Sequence, residues 1–353
     1  MRVLHFLQSN MFSGAENVVC QIISMFKDED IEFIYSSRDG QIREALKERD
    51  IKFEPISKMS ISEFKRVIKK TKPDVIHAHD MGASFLAALA ANKIPVISHI
   101  HNNNFNSQVL SAKSIAYFIA AMKAKHIFWV SQSSFDSYAF HKKLKNKSSV
   151  LYNVIDIDSL YQKMENDKNQ YDYDIIYIGR LTYPKNPERL MRVCEKVIEK
   201  IPNVKIGIVG SGDLLEETMS LCRELKLQNN VKFLGFQSNP LKMLHDAKAM
   251  IMTSRWEGTP MCALEAIALG VPIVSAPTDG ICELVENGKN GFLSDDDNIL
   301  AQRLADIVSD DALYLSLHHK AREKSIILND VKAYKKSILE IYKKSLTDKL
   351  RVG

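Results

Sequence analysis

Ala249-Met-Ile-Met252 is a short apolar run with the length of a strand. Ser254-Arg-Trp-Glu-Gly-Thr-Pro-Met-Cys-Ala-Leu-Glu-Ala266 carries it through a loop into a helix. Thr259 reads as the N-cap and Pro260 as the first helical residue. The backbone N–H groups of Met261 and Cys262 then point out of the helix start, where an anion is favoured. Glu265 lies one turn on from Met261, so its carboxylate shares the face of those amides. Glu257 stands eight positions earlier, on the loop. A diphosphate at the helix start, with hydroxyl donors near each carboxylate, describes a nucleotide sugar. Two glutamates at this spacing also arise by chance on many helices. The intervening Gly258-Thr259-Pro260 and the strand just before them carry the functional reading.

The strand-loop-helix pattern repeats along the chain. Strands are expected at Arg2–Leu7, Glu32–Ser36, Val75–Ala78, Val96–Ile100 and His126–Val130, with a helix over Gly14–Phe26. A second series is expected at Asp174–Ile178, Val204–Val209, Val231–Leu234, Ala249–Met252 and Pro272–Val274. Short strands separated by helix-length segments predict an α/β chain with two parallel sheets. The polar stretch Asp156–Asp174 reads as the boundary. Residues 1–155 would form one domain and 156–334 another, with a ligand cleft between them at the strand ends. From about Val331 a final helix places Tyr334, Ile338, Ile341 and Tyr342 on one face.

The length, 353 residues, suits two such domains. The apolar and charged fractions, 45% and 26%, are those of a soluble globular protein, and no apolar run has the length of a membrane span. The start reads as a strand running into a loop rather than as a signal peptide. Cys20, Cys194, Cys222, Cys262 and Cys282 are scattered, without a Cys-x-x-Cys, and read as reduced cytosolic thiols, mostly buried. Charge is uneven. Residues 1–150 hold 21 Lys/Arg against 14 Asp/Glu, and the remainder 27 against 29. That asymmetry fits either a solvated basic face or a negatively charged partner for the first half. Nucleic acid is disfavoured, because neither lysine cluster is interleaved with aromatics or set in a reader motif.

The other motifs fall at strand ends. Ser13-Gly14-Ala-Glu16 has capping-box spacing, and Gly14 would also let a ligand approach the backbone. Arg180 and Lys185 put two cations on the loop after the first strand of the second half, suited to a diphosphate leaving group. Gly210-Ser-Gly212 lacks a third glycine and reads as a close strand-to-helix turn rather than an NAD fingerprint. His77 and His79 would face one side of a strand, with no third metal ligand evident. His99 and His101 end the next strand, and His101 is placed to bond a hydroxyl or move a proton. Asp295-Asp-Asp297 reads as a helix cap, and Gly280 as a point of close backbone approach.

Taken in order, these motifs resemble glycosyltransferase family 4, retaining enzymes of the GT-B fold. Ser13-Gly14-Ala15-Glu16 matches the family's Gly-Gly-Ala-Glu loop with one glycine replaced. Gly179-Arg180-Leu181 with Lys185 matches its Gly-Arg-Leu…Lys-Gly, with Asn186 for the last glycine. Glu257 to Ala266 matches its Glu-Gly-x-Pro…Leu-Glu-Ala. Asp279-Gly280 through Gly291 matches a Gly-Gly…Glu…Asn-Gly element, with Asp279 for a glycine. His101 matches the family's histidine.

The resemblance implies two Rossmann-like domains with a deep cleft, and a C-terminal helix (about 335–353) crossing back to the first domain. The first domain would bind the acceptor and the second the donor. It implies that Arg180 and Lys185 hold the diphosphate with amides near Thr259–Met261, among them the Gly258-Thr259-Pro260 turn. Glu265 would bind ribose, Glu257 the donor sugar, and His101 and Gly14 would border the reacting centre. No metal or other cofactor is implied. The expected reaction moves a hexose or N-acetylhexosamine from a nucleotide diphosphate sugar, uridine-linked by family frequency, to a cell-surface polysaccharide or lipid-linked glycan. The expected place is cytoplasmic, with the basic first half able to meet an anionic membrane through Ile115, Phe118, Ile119 and Met122. A nucleotide-sugar 2-epimerase and a non-catalytic binding subunit are the alternatives. The charges of Arg180, Lys185, Glu257 and Glu265 speak against a decayed donor site. Acceptor choice is expected to rest on loops around residues 40–60 and 100–112.

Overall fold

A computed structural model describes residues 1–101 and 108–351. Residues 102–107, within the stretch 100–112 expected to bear on acceptor choice, lie outside the described residues. The chain divides into two compact units, Met1–Asn153 with Val331–Gly353, and Val154–Asp330.

In the first unit the strands are β1 (Arg2–Phe6), β2 (Glu32–Ser36), β3 (Val75–His79), β4 (Val96–Ile100), β5 (His126–Trp129) and β6 (Ser148–Val150). They form one parallel sheet in the order β2-β1-β3-β4-β5-β6. Strands β3 and β4 are buried at every position, as a parallel sheet covered on both faces requires. The strand order reverses between β1 and β3. In open parallel sheets that crevice, at the carboxyl ends, is where ligands bind. The C-terminal helix Val331–Arg351 belongs to this unit and buries Tyr334, Ile338 and Tyr342. Lys335 of this helix meets Glu29 at 3.1 Å.

The second unit contains β7 (Ile175–Ile178), β8 (Ile206–Val209), β9 (Val231–Gly235), β10 (Ala249–Met252), β11 (Ile273–Ser275) and β12 (Gly291–Leu293). Their order is β12-β11-β10-β7-β8-β9, again parallel. Counted from β7, this is the 3-2-1-4-5-6 order of a dinucleotide-type sheet, with its reversal between β7 and β10. Apolar helix faces pack on it, through Leu190, Val193 and Val197 from one helix and Leu300, Leu304 and Ile307 from another.

Three details differ from the sequence reading. Strands β6 and β12 are each only three residues long and were not expected. The polar boundary stretch contains a helix, Ile157–Asn166. Asp156 caps it by accepting from Ser159 N–H, and Leu160 and Met164, four apart, anchor it. Two buried side chains in ten residues leave too faint a pattern among so many charges. The helix after β10 begins at Met261, with Pro260 in the N-cap place and no side-chain cap. Thr259 is therefore not the N-cap, because Pro260 has an extended ψ of 124° that places it outside the helix.

Gly280 shows how tightly the second unit's loops close. A Cβ there would lie 1.2 Å from the Gly258 carbonyl oxygen. The expected cost of Gly280→Ala is more than about 3 kcal/mol of unfolding free energy, because the obstacle is backbone. Urea denaturation of the variant would measure it, and an unchanged midpoint would show that this loop contact does not form.

Candidate functional site

The second unit's candidate residues gather on the two loops that leave β7 and β10, at its strand-order reversal. The loop after β7 is braced by glycine. A Cβ on Gly210, at φ +136°, would fall 1.9 Å from the Gly179 carbonyl oxygen, and one on Gly212 would fall 2.2 Å from that of Leu181. Leu181 N–H donates to the Ser211 carbonyl at 3.0 Å. The Gly210-Ser-Gly212 pair thus seats one loop on the other, as a close turn, rather than cradling a dinucleotide.

On this braced loop Lys185 reaches Glu257. Its Nζ lies 2.5 Å from Glu257 Oε1, and Ser254 Oγ donates to the same oxygen at 2.6 Å. Both bonds converge on one carboxylate oxygen, leaving Oε2 without a partner among the described residues. Glu257 is buried and the Lys185 side chain retains 19% exposure. Arg180 is exposed and makes no ion pair among the described residues. The two cations expected to act together therefore stand in different states, one locked to a carboxylate and one free.

Asn186 explains how the missing glycine is accommodated. It adopts φ 54°, ψ 57° at the junction of the short turn Tyr183–Lys185 and the helix Pro187–Lys200. Asparagine is among the few side chains that tolerate the left-handed region. Its Oδ1 accepts from Arg255 Nη2 at 2.9 Å, and Thr253 Oγ1 donates to its carbonyl at 3.2 Å.

The helix Met261–Leu269 opens beside this cluster. Its first two N–H groups, on Met261 and Cys262, find no acceptor among the described residues, whereas Ala263 and Leu264 both donate to the Pro260 carbonyl. Glu265 is half-buried and has no hydrogen-bond partner among the described residues. Burial pushes its carboxyl up to about 7, with Lys163 pulling in the other direction. A desolvated carboxylate without donors is suited to take hydroxyl donors from a ligand. Burial also pushes the Cys262 thiol up to about 12, which makes it inert as a nucleophile.

In the first unit, Ser13 takes an extended conformation (φ −149°), so the position does not need glycine. The capping box that the spacing allows does not form, since the Ser13 side chain makes no cap hydrogen bond. Ser13 Oγ donates to Glu16 Oε2 at 2.6 Å instead, and Glu16 is buried. Gly14 is exposed, and a Cβ there would meet nothing within 4 Å. His101 is buried directly after β4, and its N–H donates to Asp80 Oδ1 at 2.9 Å. Sequence reading missed Asp80. It sits at φ 63°, in the left-handed region that aspartate, like asparagine, tolerates better than most side chains, at the turn from β3 into its helix.

Sequence reading also found no third partner for His77 and His79. The structure supplies three. Cross-strand register pairs His5 with His77 and His79 with His99. Because alternate residues share a face, His5, His77, His79, His99 and His101 form one buried row. The missing signal was pairing between distant strands, which one strand's alternation does not contain.

The comparisons with known proteins agree with this architecture. A model of glycosyl transferases group 1 matches residues 159–324, and one of glycosyltransferase family 4 matches residues 12–159. An uncharacterized glycosyltransferase of Methanocaldococcus jannaschii is 34% identical over 60% of this chain and 57% of its own length. A Campylobacter jejuni protein is 29% identical over 65% of this chain and 62% of its own. It is named N-acetylgalactosamine-N,N'-diacetylbacillosaminyl-diphospho-undecaprenol 4-alpha-N-acetylgalactosaminyltransferase. Each match thus spans roughly three fifths of the relative. The solved structure of Anabaena Alr3699/HepE with UDP-glucose superposes with a TM-score of 0.84 at 22% identity, covering 98% of this chain and 100% of that one.

Two Rossmann-like halves of this kind define a GT-B protein. The chain belongs to glycosyltransferase family 4, with the group 1 glycosyl transferase region as its second half.

Proposed function

We propose that this chain is a retaining, metal-independent glycosyltransferase. It moves a hexose or N-acetylhexosamine from a uridine diphosphate sugar to a cell-surface polysaccharide or its lipid-linked precursor. The carrying observation is the cluster at the β7/β10 reversal: a free Arg180, a Lys185–Glu257 pair, an open helix start and an unpartnered Glu265. Names of relatives support the substrate classes. The Campylobacter protein's name specifies a diphospho-undecaprenol acceptor, and the Anabaena structure holds UDP-glucose.

In this reading Arg180 and the N–H groups of Met261 and Cys262 take the diphosphate, together with the turn Gly258-Thr259-Pro260. Glu265 accepts from the ribose hydroxyls. Glu257 keeps one oxygen on Lys185 and Ser254 and offers Oε2 to a sugar hydroxyl. The bond between the anomeric carbon and the phosphate oxygen breaks as an acceptor hydroxyl bonds to that carbon on the same face. The departing phosphate takes the acceptor proton. Arg180 and Lys185 stabilise the charge that develops on it. Gly14 and His101, on the first unit, serve the reacting centre.

Thermal unfolding with UDP, GDP, ADP and CMP, in the absence of metal, tests the donor site. UDP at 100 times its dissociation constant is expected to add about 2.7 kcal/mol. A larger shift with another nucleotide would overturn the uridine assignment, and no shift with any would overturn the donor site. Product anomeric configuration by NMR then reads retention against inversion.

The membrane surface has its own support. Ile115, Ile119 and Met122 are each about half exposed on the helix Ala112–Lys123. Its buried residues are Ser114, Tyr117, Ala120 and Ala121, so the apolar stripe is not core. Phe118 instead stacks on Phe140 at 4.7 Å. With Lys113 and Lys123 beside it, this face is suited to lie in an anionic bilayer surface. Among the described residues no helix is long and apolar enough to cross a membrane. Flotation with liposomes is expected to recover more protein when anionic lipid is present. Ile119→Asp with Met122→Asp is expected to abolish that difference, and equal recovery on neutral and anionic vesicles would sink the idea.

A further inference from the structure

The row of five buried histidines in the first unit is used by the proposed reaction only at His101. Three of its rings are wired in series. His5 Nδ1 lies 2.8 Å from His79 Nε2, and His79 Nδ1 lies 2.8 Å from His101 Nε2. The series crosses three strands, β1, β3 and the end of β4. Neighbouring rings stack, with centroids 5.1 Å apart in both pairs. His77 is tied elsewhere, to the Tyr342 hydroxyl at 2.7 Å. The outer nitrogens of the series, His5 Nε2 and His101 Nδ1, are buried without a partner among the described residues.

Burial holds His5 and His101 down to about 3, and holds His79 well below its usual range. Each ring is therefore neutral at working pH and carries one proton. A neutral imidazole donates from one nitrogen and accepts at the other. Three such rings in series have only two self-consistent arrangements, in which every proton points the same way. In one, His5 Nε2 carries an unshared N–H deep in the sheet. In the other, the unshared N–H is His101 Nδ1, at the strand end.

Two observations choose between them. An orphaned buried N–H is costlier to tolerate than an orphaned acceptor. Both outer nitrogens are buried, but His5 lies inside the sheet beside Phe33, whereas His101 stands at the sheet's carboxyl edge and as a residue keeps 7% exposure. In addition, Asp80 bonds the backbone of His101 itself. A carboxylate at that end favours the positive end of the aligned ring dipoles.

We propose that His5, His79 and His101 form one hydrogen-bonded unit with a shared tautomer, which presents His101 Nδ1–H as a donor at the end of β4. His5 and His79 are then positioning residues for His101. The group recognised is an acceptor oxygen, of a sugar hydroxyl or a phosphate. Its place in catalysis rests on the transferase reading, but the tautomer rests on this unit alone.

The same nitrogens also lie close enough for a metal ion, as His5-His77-His79 or His79-His99-His101, each set within 4.8 Å. A tetrahedral ion needs its nitrogens about 2.0–2.1 Å from one centre. Here the nitrogens of each wired pair face each other across a proton. An ion would have to break these bonds, so the hydrogen-bonded reading is the better fit.

Two-bond 1H–15N spectra of the full chain, labelled at histidine, read each ring's protonated nitrogen. His5, His79 and His101 are all expected to carry their proton on Nδ1. In His79→Phe, which keeps the aromatic stack, His101 is expected to move its proton to Nε2. With a UDP-sugar the same variant is expected to lose at least tenfold in kcat with KM unchanged. His79→Gln offers a donor and an acceptor in place of the ring. It is expected to restore both the Nδ1–H signature and most of kcat, which mere packing does not predict. An Nε2–H on any of the three wild-type rings would overturn the proposal. So would an unchanged His101 tautomer in His79→Phe, an unchanged kcat in that variant, or collapse of these signals onto one stoichiometric zinc ion. A wild type without turnover would sink the transferase reading instead, while the spectra still decide the tautomer.

Discussion

Arg180→Ala and Lys185→Ala are expected to lose turnover alike and stability very differently. Each removes a cation from the developing diphosphate, and a single preorganised charge of this kind is worth about 10²–10³ in kcat. The folded environments are unlike. Arg180 is exposed and unpaired among the described residues, so its removal is expected to stay within about 0.5 kcal/mol of wild-type stability. Lys185 sits 2.5 Å from a buried Glu257. Its loss leaves that carboxylate supported by the Ser254 hydroxyl alone. Removing one member of a buried pair costs about 3–5 kcal/mol. The lower end applies here, because the Lys185 side chain keeps 19% exposure. Denaturant unfolding beside a UDP-sugar transfer assay separates the two effects. Near-normal turnover in both variants would show that the diphosphate charge is met elsewhere. Equal stability of Lys185→Ala and wild type would show that the pair does not hold Glu257.

The contrast between these two cations marks the limit of what the sequence shows. Apolar runs placed ten of the twelve strands found among the described residues, because strands covered on both faces of a parallel sheet are rich in apolar residues. Glu257, Glu265, Arg180 and Lys185 were legible because each lies next to a strand end and the chemistry of a diphosphate needs those charges. Which of the cations is already spoken for was not legible. It depends on the distance between the loops after β7 and β10, and the sequence separates those loops by some 70 residues. The histidine row has the same origin. His5 and His79 are 74 positions apart and meet only through the pairing of β1 with β3. Asn186 is the converse case. It looked like a departure from glycine, yet asparagine's tolerance of the left-handed region keeps the backbone turn intact.

Glu265→Gln is expected to stabilise the ligand-free protein while weakening it as an enzyme. The reason is the displaced carboxyl of Glu265, raised from 4.5 to about 7 by burial. Below pH 4.5 the group is protonated whether the chain is folded or not, and it has no effect on stability. Between pH 4.5 and 7 the unfolded chain ionises while the folded one keeps its proton, so stability falls as pH rises. Above 7 the loss is complete, at about 3 kcal/mol for a shift of this size. Glutamine removes that penalty but leaves an amide short of partners, at about 1–2 kcal/mol. The variant is therefore expected to exceed wild type by about 1–2 kcal/mol at pH 8 and to lose the advantage between about pH 5 and 6. Ligand binding runs the other way. Ribose hydroxyls donate to the ionised carboxylate, so wild-type affinity for a UDP-sugar, whose phosphates do not titrate here, is expected to rise as pH passes 7. In Glu265→Gln the affinity is expected to be lower and flat across that range. Calorimetric titrations at pH 6 and 8, with denaturation curves at the same values, read both limbs. A variant that loses affinity with no gain in stability at pH 8 would mean that Glu265 is not a strained, waiting acceptor. A variant that gains stability and keeps full affinity would mean that the ribose binds elsewhere.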